Sequence, residues 1–384
     1  MRVALSAHNV VNYPEGGGHF WVYLQYAHGL RRIGCDVWWL EEFVPTMDGD
    51  RDAARAKAFI ERLAPYGFAD RVILYCADGT FLNVAESSAR SVFRTCDALL
   101  NFHQQIAPWM LGSFARTALV DIDPGLLQYW MSAGVLSVPR HDVYFTTGET
   151  VGRTAAAFPD CGIDWVRIRP PVALDLWPRA DVPAGARFTT VSGWWGNDEW
   201  VDYAGEVYDN NKRAAFIRYV DLPRRVPDVP LELALYLDPD SEHDVRDREL
   251  FTRCGWSVVH SHDVAGTPDA YREYIRSSLG EFSCAKASCR KFSNAWVSDR
   301  TLCYLASGKP VVVEDTGPSA ILPSGRGMFR FSTPADAAAD LEEAIGNYAV
   351  HARAAREVAE LFDARHVAEA IVSGLSRVPL GAQA

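Results

Sequence analysis

The stretch from Ser298 to Gly317 constrains the fold of this chain more than any other. Ser298 is a good N-cap, Asp299 puts negative charge at the positive end of a helix, and Leu302, Leu305 and Ala306 share one helical face. Gly308 stops that helix and Pro310 forbids its continuation. Val311 to Val313 form an apolar run suited to a parallel strand covered on both faces. Glu314, Asp315, Thr316 and Gly317 then fall at the strand's carboxyl end, where open α/β sheets bind ligands.

The same alternation runs through the first half. Residues 2–7 read as a strand, residues 19–33 as a helix closed by Gly34, and residues 35–41 as a second strand. Between the first two lie Pro14 and the run Gly16, Gly17 and Gly18. Consecutive glycines before a helix let an anion approach backbone N–H groups, although the spacing is not the Gly-x-Gly-x-x-Gly dinucleotide pattern. The bland alternative is a surface loop. His19 follows directly, either as a general base or phosphate-orienting group, or as a plain polar start to the helix. Further strands are expected at 71–76, 98–102, 117–121 and 143–147, and helices at 52–63 and 85–94. Asp121 and Asp123 end one strand, as candidates to hold an acceptor hydroxyl or as ordinary turn formers. His103 follows another strand end.

A chain of 384 residues calls for two domains of about 150–200 residues each. The extended, proline-bearing segment 168–178 marks the boundary, near Pro171. The alternation then restarts, with strands at 188–192, 231–236, 255–260 and 280–286 and helices at 212–220 and 270–278. Gly193 and Gly196 follow the first of these strands, Lys212 opens the first helix, and Lys286, Arg290 and Lys291 cluster before the Ser298 helix. Each cation is either an anion contact or a solvated surface charge. Helices are expected at 335–346, 348–361 and 366–375.

Composition narrows the function. A net charge of −11 argues against a broad nucleic-acid surface. Eight cysteines occur without a Cys-x-x-Cys pair, and Cys76, Cys254 and Cys284 sit in apolar runs, as buried free thiols do. No run of 18 apolar residues and no basic-plus-apolar leader is seen, so a cytoplasmic protein without a transmembrane segment is expected.

The run Tyr304-Leu305-Ala306-Ser307-Gly308-Lys309-Pro310-Val311-Val312 resembles the donor-site helix and strand of GT-B glycosyltransferases, especially the retaining family 4 type. The resemblance implies an α/β fold of two Rossmann-like domains facing across a cleft. Residues 1–170 would form the acceptor domain and 171–365 the donor domain. Residues 366–384 would form a helix crossing back to the first domain and a tail. It implies transfer of a sugar from a nucleotide diphosphate sugar to an acceptor such as a small molecule, natural product or glycan. No metal and no cofactor beyond that co-substrate are implied. Gly17, Gly18, Gly193, Lys212, Lys291, Ser298, Asp299, Arg300 and Thr316 would hold the donor. His19 and Asp123 would do the chemistry, with Asp121 or Asp123 orienting His19. Residues 256–263 match the place where such enzymes hold the base. One departure stands out: where family 4 enzymes carry two glutamates with seven residues between them, this chain has Ala295 and Cys303. Asp299, one turn before Cys303, is the nearby acid. An epimerase of the same architecture and a silent sugar-nucleotide-binding protein are the alternatives. The missing dinucleotide fingerprint disfavours a nicotinamide oxidoreductase.

Overall fold

The computed structural model describes residues 1–46, 48–154, 156–196 and 200–377. The chain divides into two compact units. Unit 1 comprises 1–152, 159–173 and the C-terminal segment from Ala364; unit 2 comprises 153–158 and 174–363.

Unit 1 is built on seven strands: β1 (Arg2–Ser6), β2 (Asp36–Glu42), β3 (Val72–Tyr75), β4 (Ala98–Asn101), β5 (Thr117–Asp121), β6 (Val143–Thr146) and β7 (Trp165–Arg167). They form one parallel sheet in the order β3-β2-β1-β4-β5-β6-β7. The strand order reverses between β1 and β4, which pair with Leu5 opposite Leu100. Short apolar strands buried on both faces produce this arrangement: every residue of β3, β4 and β5 is buried. The last helix, Ala364–Arg377, packs along the first, Gly17–Arg32. Gly29 makes that approach possible, since a Cβ there would lie 2.4 Å from the Ala364 carbonyl oxygen.

Unit 2 repeats the plan. Its strands are β8 (Phe188–Thr189), β9 (Val191–Ser192), β10 (Trp200–Tyr203), β11 (Glu206–Asp209), β12 (Glu232–Leu235), β13 (Ser257–His260), β14 (Gly280–Ser283), β15 (Val311–Glu314) and β16 (Met328–Phe331). β8 and β9 are two halves of one extended run broken at Thr190. β9 pairs with β12, which pairs with β13, on one side, and β8 pairs with β14, followed by β15 and β16, on the other. The parallel order is therefore again 3-2-1-4-5-6 within the unit. Phe216, Tyr219, Phe282 and Phe331 form its aromatic core, with the Phe282 and Phe331 rings stacked 5.4 Å apart.

Two elements escaped the sequence patterns for physical reasons. The hairpin β10–β11 turns on Ala204 and Gly205, both at positive φ, and Ala-Gly is a weaker turn signal than Asn-Gly. The helix Glu242–Arg253 carries few apolar residues, so its periodicity is faint. It buries Asp244 and Asp247 instead, which accept from the Trp195 and Trp194 indole N–H groups, and Arg213 also pairs with Asp247. Among the described residues no helix is long and apolar enough to cross a membrane.

Candidate functional site

In unit 2 the carboxyl ends of β14 and β15 open onto a cavity lined by Cys284, Trp296, Ser298, Arg300, Glu314 and Thr316, among others. Ser298 caps the helix Asp299–Ala306 by accepting from the Arg300 N–H. The helix therefore presents its positive end here. Thr316 donates its hydroxyl to the Trp296 carbonyl and its own carbonyl accepts from the Ala295 N–H. This ties the loop before the helix to the end of β15. Gly317 has φ +110° and a Cβ would meet Ser293 at 2.7 Å, so only glycine fits that junction.

Lys212 begins the helix Lys212–Phe216, where Asn211 caps by accepting from the Ala214 N–H. Its ammonium donates to the Cys284 carbonyl at 2.6 Å. Burial, aided by the nearby charges of Arg300 and Lys286, brings its pKa down to about 8. Asp299, in the first turn, is raised to about 6 by burial, against the pull of Arg300 and the helix N–H groups.

Arg300 lines the cavity but is engaged by the protein itself. It donates to Glu281 at 2.7 Å, to the Val191 carbonyl at 2.8 Å and to the Ser283 hydroxyl at 2.6 Å. It is an internal brace joining the helix to β9 and β14. Lys291 lies over the Tyr208 ring of the hairpin, 4.1 Å from its centroid. Gly193 directly follows β9, and its carbonyl accepts from the Ser192 hydroxyl. Cys303 and Ala295, at the glutamate positions of the resembling family, are both buried.

Sequence reading placed Glu314 at a strand end but gave it no role; its carboxylate accepts from Arg218 at 2.6 Å and from the Ala285 N–H at 2.9 Å. Arg290 Nε is 3.3 Å from it. A charge at a strand's carboxyl end was the available signal. The base region differs too: Trp256 is buried, while the rings of Tyr236, His260 and His262 gather at the ends of β12 and β13.

Unit 1 carries its polar cluster at the β1/β4 reversal, the place where open sheets of this order bind ligands. His8 follows β1 and His103 follows β4; their rings stack at 4.3 Å. Glu42, ending β2, places Oε2 3.6 Å from His103 Nδ1. His19 donates Nε2–H to the His8 carbonyl at 2.7 Å, and burial lowers its pKa. Its orienting partner is thus backbone, not a carboxylate. Asp121 is fully buried and occupied elsewhere: it accepts from Gln128, Thr146 and the Asp123 N–H. Asp123 itself is exposed on that turn. Gly17 and Gly18 are the first two residues of the helix Gly17–Arg32 in unit 1. Gly16 has an ordinary φ of −82°; it is glycine because a Cβ would strike the Tyr13 ring at 2.4 Å.

No family model matches this sequence, and no curated protein is significantly similar to it. Solved structures do match over the whole chain. HepE of Anabaena, in complex with UDP and glucose, is 13% identical with a TM-score of 0.60, covering 98% of this chain and 99% of that one. An alpha-glucosyltransferase in complex with UDP is 11% identical with a TM-score of 0.63, covering 98% and 100%. Sucrose-phosphate synthase from Thermosynechococcus elongatus is 12% identical with a TM-score of 0.55, covering 98% of each. The chain has the GT-B fold. The two Rossmann-like sheets of this GT-B chain are those of units 1 and 2, and each carries polar groups at the carboxyl ends of its strands.

Proposed function

We propose that the protein is a glycosyltransferase that moves a sugar from a nucleotide diphosphate sugar to an acceptor. Unit 2 takes the donor. The observation that carries this is one cavity at the carboxyl ends of a Rossmann-like sheet, lined by Ser298 at the positive end of the Asp299–Ala306 helix and by Cys284, whose carbonyl accepts from the Lys212 ammonium. A cation and helix N–H groups stabilise a leaving diphosphate most when they are fixed in place beforehand. HepE and the alpha-glucosyltransferase, both solved with UDP, support the nucleotide class. Ser298, Thr316, Gly193 and Lys291 border the diphosphate in this reading, and Asp299 takes a ribose or sugar hydroxyl. The exposed Tyr236 ring and its two histidines receive the base. Among the described residues no group of three His, Cys, Asp or Glu is arranged to hold a metal ion. In this reading Lys212 and the helix contribute to neutralising the diphosphate charge. Retention of configuration, implied by the family 4 resemblance, loses its support with Cys303 and Ala295 in the glutamate places.

A thermal-shift screen of UDP, GDP, TDP and ADP tests the donor site. At 100 times its dissociation constant, the matching nucleotide adds about 2.7 kcal/mol. That raises the melting temperature of a unit this size by roughly 5–10 °C. No shift with any of the four would refute the reading. Lys212→Met should then weaken that nucleotide about 10- to 150-fold, the worth of about 1.5–3 kcal/mol for a hydrogen bond to a charged group. Calorimetric titration measures it, and unchanged affinity would remove Lys212 from the site.

A further inference from the structure

We propose that Arg290 of unit 2 sets the preference of the donor site for a nucleoside diphosphate over a monophosphate, through a guanidinium that the protein leaves unbonded beside Glu314. The inference rests on the glycosyl-transfer reading above.

Ser283 of β14 pairs with Val313 of β15, which sets Cys284 beside Glu314 where the two strands stop. Both residues line the cavity. Three cations converge on them. The Lys212 ammonium donates to the Cys284 carbonyl at 2.6 Å. Arg218 donates to both Glu314 oxygens, at 2.6 and 2.9 Å. Arg290 places Nε 3.3 Å from Glu314 Oε1. One carboxylate thus stands against three cations, an excess of two positive charges. The Cys284 thiol feels all of them: burial and Glu314 push its pKa up, and Arg218, Lys212 and Arg290 pull it down.

Glu314 has no oxygen to spare for Arg290. Its Oε1 also accepts from the Tyr219 hydroxyl at 3.3 Å, and its Oε2 from the Ala285 N–H at 2.9 Å. Arg290 Nε is buried and makes no hydrogen bond. A buried donor without an acceptor calls for an explanation, and an absent ligand supplies one. The guanidinium carries five N–H donors in a rigid fork that matches phosphate oxygens. With 26% of the side chain exposed, that fork is within reach of a ligand. The cavity's own arginines are committed: Arg300 to Glu281 at 2.7 Å and Arg330 to Asp315 at 2.5 Å. Lys291, next to Arg290 in sequence, rests on the Tyr208 ring.

Arg290 is also fixed beforehand. Its helix, Ala287–Phe292, is tied down by Asn210, which is fully buried and accepts from the Ser288 N–H at 2.8 Å. Phe292 packs edge-on against Tyr203 of the hairpin, ring centroids 5.8 Å apart. Lys212 is thereby held at the end of β14 and Arg290 at the end of β15. Neighbouring strands lie about 4.8 Å apart, a separation that two linked phosphates span and one does not. Two surplus positive charges on adjacent strand ends match the two negative charges of a diphosphate ester.

Calorimetric titration of UDP against UMP, and of the GDP/GMP, TDP/TMP and ADP/AMP pairs, tests this. For the base that the wild type accepts, the diphosphate should bind at least about 10-fold more tightly than the monophosphate. Arg290→Gln should weaken the diphosphate about 10- to 150-fold, the effect of losing a hydrogen bond to a charged group, and change the monophosphate by less than about 3-fold. Arg290→Lys, which keeps the charge and loses the fork, should fall between wild type and Arg290→Gln. The nucleotide-free Arg290→Gln protein should melt with the wild type, since Arg218, Tyr219 and the Ala285 N–H still hold Glu314. Wild-type diphosphate affinity in Arg290→Gln would overturn the assignment. So would an equal loss for both nucleotides, which means a structural role, or a wild type that binds both members of a pair alike. Each of these leaves the transferase reading standing. Failure of the wild type to bind any of the eight nucleotides would overturn both.

Discussion

Arg300→Leu should lower the stability of unit 2 by about 3–5 kcal/mol, the cost of leaving a buried carboxylate without its partner. Glu281, on β14, is fully buried, and Arg300 is its ion-pair partner at 2.7 Å. Burial alone would depress the Arg300 pKa, yet the Glu281 charge raises it instead. The same guanidinium holds the Val191 carbonyl and the Ser283 hydroxyl, so its loss strands three groups at once. Replacing both charges, Arg300→Leu with Glu281→Leu, should recover much of the loss, because two apolar groups of suitable volume need no partner. Thermal unfolding of the two variants checks this. An Arg300→Leu protein as stable as wild type would mean that the brace contributes nothing.

The second large effect is a pH dependence of unit 1. Asp121 is fully buried, and its carboxyl is raised from 3.8 to about 7; burial dominates over the hydrogen bonds from Gln128 and Thr146 that act the other way. In the unfolded chain it ionises near 3.8. Between those values the folded state holds a proton that the unfolded state has released, so stability falls as pH rises through this window and is level above it. From pH 5 to pH 7 this amounts to about 2.3 kcal/mol, the slope of about 1.36 kcal/mol per unit halving as the folded group reaches its own midpoint. Asp121→Asn cannot titrate. The wild type should therefore lose about 2–3 kcal/mol relative to that variant between pH 5 and pH 8 in urea unfolding, whatever the variant costs at one pH. A gap independent of pH would show that Asp121 stays ionised when folded. Glu41, raised to about 7 by burial, gives a second slope of the same sign, present in both proteins and cancelling in the comparison.

Much of the architecture was legible in the residues. Strands at 72–75, 98–101, 117–121 and 311–314 are short apolar runs, and burial on both faces is what such runs demand. The helix Asp299–Ala306 starts at Ser298 and stops before Gly308, which sits at φ +73°, as capping chemistry requires. Elements with mixed composition were not legible. The helix Glu242–Arg253 buries aspartates against tryptophan N–H groups, and no hydrophobic period records that.

For the site, the sequence alone marked the strand ends at Asp121 and Glu314 and the N-capped helix, because glycine, proline and capping residues act over a few positions of chain. It could not say which polar side chain each neighbour would claim. Arg300 is spent on Glu281, His19 on the His8 carbonyl and Asp121 on Gln128 and Thr146. His103 and Glu42, 61 positions apart in sequence by their numbering, meet only because parallel pairing sets β2, β1 and β4 side by side. Local chemistry determines where a strand ends and a helix begins. Which charges are left free to act is decided by long-range pairing, since a buried charge must be matched by whatever group the fold brings to it.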